Sequence, residues 1–445
     1  MKHIAFFRIC TLLIVSILVG CTSTGLINDF PQTVPESSLP SATPIPAPHL
    51  DLRMATDSSG FQFVAGNDHA GYYLLDMDNH TGQVICLDYE SLQQTYWTNQ
   101  LAPSFDENDP GWIGDTYGGA RTIASGDNLY VFKYGKTPLK NVNPTGSPAQ
   151  IHLMNYNGMS RKTISFDPNC PPLTRSGMAT DNKELYLLTC RYDENGRKQT
   201  YEVCKTDFEA EKINVLATLD AMQNDTRLVG VYHDGLILQQ HYIAAEGTKL
   251  PSEDQVEYYK YQLILFSLLD NTFHPINFSW VEGELTCVYG DGLIYYIPAE
   301  ENKLICYDVT SEKIISSIDL TVDGSSISSR IYLSGEDYGD HLTGYILNDN
   351  NESQLIGIDK KSGEAKSINL TFEYNMGTVP MSIVCQTETQ FLINSNIKET
   401  TSTITMPDGS PHTIYIPVFY YSLIDKNDYW ASNPKLLNFE DHVYK

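Results

Sequence analysis

Short runs of alternating apolar and polar positions, each stopping on an acid or a polar stand-in, recur along the chain. Val84-Ile85-Cys86-Leu87-Asp88 is the first, followed by Ile151–Asn155, Val203–Asp207, Leu263–Ser267, Leu304–Asp308, Leu355–Asp359 and Tyr421–Asp425. Their closing positions are 67, 52, 60, 41, 51 and 66 residues apart, a mean of about 56. Alternation of period two is the mark of a half-buried strand, and long 3.6-residue periodicity is scarce here. A second landmark keeps step with the first. The dyads Asp127-Asn128, Asp181-Asn182, Asp234-Gly235 and Asp291-Gly292 are spaced 54, 53 and 57 residues apart. Each precedes a β run such as Leu129-Tyr130-Val131-Phe132. Asp, Asn and Gly accept the positive φ that tight hairpins demand. The unit therefore reads strand, tight turn, strand, longer loop, strand closing on an acid, return strand.

Four antiparallel strands in each unit cannot bury both faces of a sheet, but units stacked in a ring bury them against their neighbours. The fold expected is all-β, a β-propeller of seven four-stranded blades. Six or eight blades and a pair of β-sandwiches are the alternatives. Leu50–Val64 and Leu436–Tyr444 both read as strands and are expected to complete one shared blade at the junction.

The first residues follow another pattern. Lys2 and Arg8 precede an apolar run, Ile9 to Val19, which ends at Leu18-Val19-Gly20-Cys21. Positive, apolar, then small is the order of a secretory signal, and about a dozen residues fall short of the ~20 that a spanning helix needs. Leu18, Gly20 and Cys21 match the bacterial lipobox, in which the thiol is acylated and becomes the new N-terminus. Thr22 to Pro48 contains Pro31, Pro35, Pro40, Pro44, Pro46 and Pro48 among Ser, Thr and Gly, and reads as an extended tether. The expected division is a signal peptide over 1–20, a tether over 21–50 without fixed structure, and a propeller over 51–445. The protein is placed on the extracytoplasmic side of a membrane, held by lipid on Cys21.

Charge narrows the partners. From Cys21 onward, 27 Lys+Arg stand against 55 Asp+Glu, a formal charge of −28. Nucleic acid is excluded, since binding it requires basic neutralisation of phosphates. So is docking on anionic headgroups through a basic patch. Beyond Cys21 there are seven cysteines, an odd number with no C-x-x-C among them. Cys190 and Cys204 flank the turn at Asp193–Lys198 and are the pair placed to face each other across a hairpin, bonded or as free thiols.

The richest polar loop is Asp106-Glu107-Asn108-Asp109-Pro110-Gly111-Trp112, with Asp115 just beyond. Asp106, Glu107, Asp109, Trp112 and Asp115 form the candidate ligand loop: carboxylates for sugar hydroxyls or a hard cation, an indole for stacking on a sugar ring. The spacing does not match a calcium-binding Asp-x-Asp-x-Asp-Gly loop, and a solvated insertion is the plainer reading. The insertion Thr248–Tyr259 is read as an extended hairpin tip. Scattered histidines lack zinc spacing. No Gly-x-Ser-x-Gly elbow, P-loop or Rossmann turn is present. No cofactor, metal or catalytic residue is expected.

Several units resemble known propeller repeats. Leu304–Lys313, Leu355–Glu364 and Val84–Asp88 are similar to PQQ-like repeats. Ile151–Gly158 is closer to the TolB-like version, and Gly290–Tyr296 resembles a repeat of uncharacterised clostridia-type lipoproteins. The resemblance implies a propeller. It does not imply quinone chemistry, because no calcium site with a stacking tryptophan accompanies it. The functional expectation is a lipid-anchored binding or scaffolding module, not an enzyme, with a protein or carbohydrate partner on one propeller face. The alternative is an enzyme acting on envelope or environmental polysaccharide through carboxylates gathered at the central channel.

Overall fold

A computed structural model describes residues 50–443, apart from 57–63, 78–80, 99–101, 117–118, 127, 136–147, 156–160, 194, 222–223, 244–258, 327–329, 348–352, 376 and 406–409. The signal, Cys21 and the tether up to residue 49 lie outside the described residues.

The chain is a seven-bladed β-propeller. In each blade the strands run a to d from the channel outward, and each is antiparallel to the next. Blade 1 spans 64–115, blade 2 120–165, blade 3 179–220, blade 4 224–281, blade 5 285–319, blade 6 331–367 and blade 7 383–438. All seven acid-closed runs of the sequence are strand c, ending at Asp88, Asn155, Asp207, Ser267, Asp308, Asp359 and Asp425. The closing acid shapes the turn that follows. The Asp88, Asp207 and Asp359 carboxylates accept from the backbone N–H of Ser91, Ala210 and Ser362 at 2.6, 2.8 and 2.8 Å. Four residues after the strand end the chain turns left-handed, at Leu92, Glu211, Asn271, Glu312 and Gly363. The side chain caps the turn, and a left-handed residue starts strand d.

The core lies between the blades. One apolar cluster fills each of the seven seams among the described residues. The seam of blades 2 and 3 is typical, with Tyr130, Phe132 and Ile151 against Leu185, Leu187 and Cys204. This is why a single blade has no fold of its own: its two buried faces belong to two different seams.

The two end segments meet on blade 1, as expected, but the C-terminal one joins as an added outer strand and not as one of the four. Val64–Gly66 is strand a of blade 1, whereas Leu437–Asn438 is strand d of blade 7. The chain then reaches across the junction, and Glu440–Asp441 runs parallel to Gln93–Gln94 on the outer edge of blade 1. Val64, Tyr73 and Leu87 pack on Leu392, Tyr421 and Leu423 behind it. The ring closes by packing and an outer latch, because every blade already has four strands of its own. Cys190 and Cys204 are free thiols, as are the other cysteines among the described residues. The hairpin register sets Cys190 opposite Tyr201 and Cys204 opposite Leu187, so the two are never across from each other.

Candidate functional site

Blade 3 has a broken inner edge. Residues 169–173 lie along Leu188–Tyr192, and Ala179–Thr180 pairs with Leu185–Tyr186. Between the two pieces the chain turns aside to blade 4, where Ser176 Oγ accepts from Leu228 N–H at 2.9 Å and Gly177 N–H donates to the Leu228 carbonyl at 2.9 Å. The segment before blade 1 fills the edge: Arg53–Met54 pairs antiparallel with Ala179–Thr180 as a fifth strand inside the channel. Its start is held at the turns that join strands a and b. Leu50 N–H donates to the Asp234 carboxylate of blade 4. The Arg53 guanidinium donates to Asn182 Oδ1 of blade 3 and to Ser125 Oγ of blade 2. Further along, Ala55 N–H donates to the Met178 carbonyl, and Met178 N–H to Thr56 Oγ1 at 2.9 Å.

A cavity of about 280 Å³ lies between this segment and the inner strands of blades 4, 5 and 6. Asp291, Glu336 and Asp337 line one wall, and Arg53, Met54 and Thr56 the other. Glu336 owes its place to a bulge. Register in blade 6 shifts between Ser334 and Asp337, and Gly335 there has φ +77°. A Cβ at that position would also meet Thr343 Oγ1 at 2.7 Å. Bulges bend a strand and re-aim its side chains, often beside sites. Asp337 is anchored from two sides, accepting from Lys360 Nζ at 2.7 Å and from Gly339 N–H at 3.0 Å. The Lys360 ammonium also sits 4.5 Å from the centre of the Tyr295 ring of blade 5, so it ties two blades together.

The a–b turns repeat one chemical feature. Asp68, Asp181, Asp234, Asp291, Asp340 and Glu388 each stand in one, so this channel mouth is ringed by carboxylates. Asp127, the corresponding residue of blade 2, lies outside the described residues.

The candidate ligand loop is elsewhere. Strand d of blade 1 is split: Gln93–Tyr96 pairs with the end of strand c, and Trp112–Asp115 with its beginning. Residues 102–111, which precede the second piece, belong to the outer rim, on the far side of the blade from the channel. Two of their acids, Asp106 and Asp109, serve the loop itself. Asp109 is fully buried and accepts from Ser104 N–H at 3.1 Å and Gly111 N–H at 2.9 Å. Asp106 accepts from Asn108 N–H and Ser104 Oγ, which hold its carboxyl below the usual range. Glu107 is exposed. The carbonyl of Trp112 accepts from Arg161 of blade 2 at 2.7 Å, and Asp115 pairs with Thr81 along the backbone. The loop therefore does not join Asp291, Glu336 and Asp337. Sequence reasoning took Asp291 for a turn residue and passed over Arg53, Glu336 and Asp337. The available signal was Gly335, a lone glycine inside a strand directly before two acids.

Arg161 also meets His152, whose Nε2 is 3.2 Å away, and His152 Nδ1 lies 2.9 Å from Thr163 Oγ1. Burial, then the Arg161 and Lys133 cations, push the imidazole down to about 3. Nε2 faces a donor, so Nδ1 carries the proton toward Thr163. The folded form holds His152 neutral while the unfolded chain protonates near 6.5. This stabilisation is therefore complete above pH 6.5 and is lost as the pH falls toward 3. His152→Gln is expected to reduce the slope of stability against pH in that window by up to about 1.4 kcal/mol per pH unit. Urea melts at pH 4, 5, 6 and 7 measure it; an unchanged slope would refute the assignment.

No family model matches the chain, and no curated protein matches it by sequence. Solved structures that resemble it include the β-propeller domain of the Trilobed protease from Pyrococcus furiosus, with 12% identity, a TM-score of 0.46, and coverage of 88% of this chain and 97% of that one. An acylaminoacyl peptidase from Pyrococcus horikoshii is 12% identical with a TM-score of 0.46, the match spanning 83% of this chain and 53% of the peptidase. A polysaccharide lyase, a PL25 ulvan lyase, is 9% identical with a TM-score of 0.43 over 78% of this chain and 92% of the lyase. These correct the expectation that the chain is not an enzyme. Peptidases and a lyase stand among the propellers it resembles, and that expectation is withdrawn.

Proposed function

We propose that this protein is an extracytoplasmic propeller, anchored by lipid on Cys21, which takes a short stretch of envelope or environmental polysaccharide into the channel cavity and acts on it. The observation that carries the reading is the cavity itself: about 280 Å³, with carboxylates contributed by two neighbouring blades. Carboxylates bind sugar hydroxyls, and glycosidic cleavage calls for two of them across one bond. We assign Asp291 and Glu336 to the saccharide, and Asp337, tied to Lys360, to positioning the wall. Carboxylates on the wall and a ring of acids at one mouth favour neutral or N-acetylated sugars over uronates.

The mature chain, incubated with soluble β-glucan, chitin oligosaccharides and peptidoglycan fragments, is expected to release new reducing ends from one of them. Asp291→Asn and Glu336→Gln are each expected to lower the rate by about 100-fold or more, the scale of positioned acid or base groups. Absence of release from all three, or full activity in both variants, would rule out the catalytic reading. Mass spectrometry of the mature N-terminus tests the anchor: the proposal requires a diacylglyceryl thioether on Cys21, and an unmodified cysteine ends it.

A further inference from the structure

We propose that residues 50–56 are an in-cis gate, a strand supplied by the chain itself that stops one mouth of the channel and can be displaced. The inference builds on the cavity assigned above as the ligand site. The segment starts at the acid-ringed mouth, where Leu50 and Arg53 bind the a–b turns of blades 2, 3 and 4, and it runs up the inner edge of blade 3. Arg53, Met54 and Thr56 are at once part of the plug and one wall of the cavity. With the strand seated, a ligand enters and leaves through the opposite mouth, on the side of the b–c turns.

The way the segment is held suits displacement. Its ladder is two residues long, whereas the strands of blade 4 have nine or ten. Arg53 is exposed, and Leu52 and Met54 are only half-buried against the apolar seam of blades 3 and 4. Local openings are drawn from such weakly packed pieces, while the seams hold the ring. The latch is a pair of hydrogen bonds from the Arg53 guanidinium to Asn182 Oδ1 and Ser125 Oγ, so putting an acceptor-only carboxylate in its place should release it.

The test reads the gate without any saccharide, so it can fail while the polysaccharide reading stands, and the reverse. In a Glu336→Cys background, Arg53→Glu with Met54→Asp is compared with the conservative pair Arg53→Lys with Met54→Leu. Hydrogen exchange at Ala55 and Thr56 reports seating, and the rate at which a bulky maleimide modifies the thiol at position 336 reports access. Release is expected to abolish protection of those two amides and to speed labelling at least tenfold, while the conservative pair changes neither. Three results would overturn the proposal: protection retained in the charge-reversed pair, protection lost without faster labelling, or loss of protection across Leu129–Phe132 as well. The last would make the segment part of the core rather than a gate.

Discussion

Phe132→Ala will lower the free energy of unfolding by about 3–5 kcal/mol, the cost of deleting a buried aromatic ring and leaving a cavity. The ring is fully buried in the seam of blades 2 and 3, 4.7 Å from Tyr134 and 6.0 Å from Phe166 by ring centroids. The Arg121 guanidinium lies 5.7 Å from the ring centre, so truncation also removes a cation–π contact. Whole domains hold only about 5–15 kcal/mol, and damage to one seam of a closed ring is felt by both blades that share it. Phe132→Leu keeps most of the volume and should cost roughly a third as much. Val215→Ala, at a half-exposed strand position, should stay within about 0.5 kcal/mol. Denaturant titration followed by tryptophan fluorescence decides it. A loss below 1 kcal/mol for Phe132→Ala, on the scale of ordinary surface changes, would show that the seams are not the source of stability.

Asp337→Ala should be the most damaging single change around the cavity. Its carboxylate meets Lys360 at 2.7 Å, with the two side chains 21% and 14% exposed. Removing one partner of a buried pair strands the other charge, a loss of about 3–5 kcal/mol, and the remaining solvent contact places this pair at the lower end. The stranded ammonium would sit between blades 5 and 6, 4.5 Å from the centre of the Tyr295 ring. Replacing both partners, Asp337→Ala with Lys360→Met, should recover more than half of the loss, because an apolar stem can still pack on that ring. A double-mutant cycle in urea measures the coupling. Strictly additive losses would mean that the pair acts independently and that Asp337 does not position the cavity wall.

Much of the architecture could be read from the chain. The acid-closed runs were found from alternation alone, and each proved to be strand c of a blade, because alternation and an acid-capped turn are local chemistry that survives any tertiary arrangement. The dyads at Asp181, Asp234 and Asp291 likewise sit in a–b turns. The cavity was not legible. The loop at 106–112 drew attention because its acids and Trp112 are adjacent in sequence, yet two of those acids bind their own backbone. Asp291 and Glu336 are 45 residues apart in the sequence and line one wall only because the inner edges of successive blades face one axis. Arg53 reaches that cavity from still further away, through an inner edge of blade 3 that no local pattern announces.

The sequence by itself therefore determined the repeat, the end of strand c in each unit and the turn chemistry, since each depends on residues within one unit, whereas the choice of seven blades over six or eight came from the closed ring. Where the two ends of the chain go, which mouth is stopped and which carboxylates meet were decided only by the closed ring. Closure makes neighbours of residues hundreds of positions apart, and it depends on how seven seams pack at once rather than on any stretch of chain.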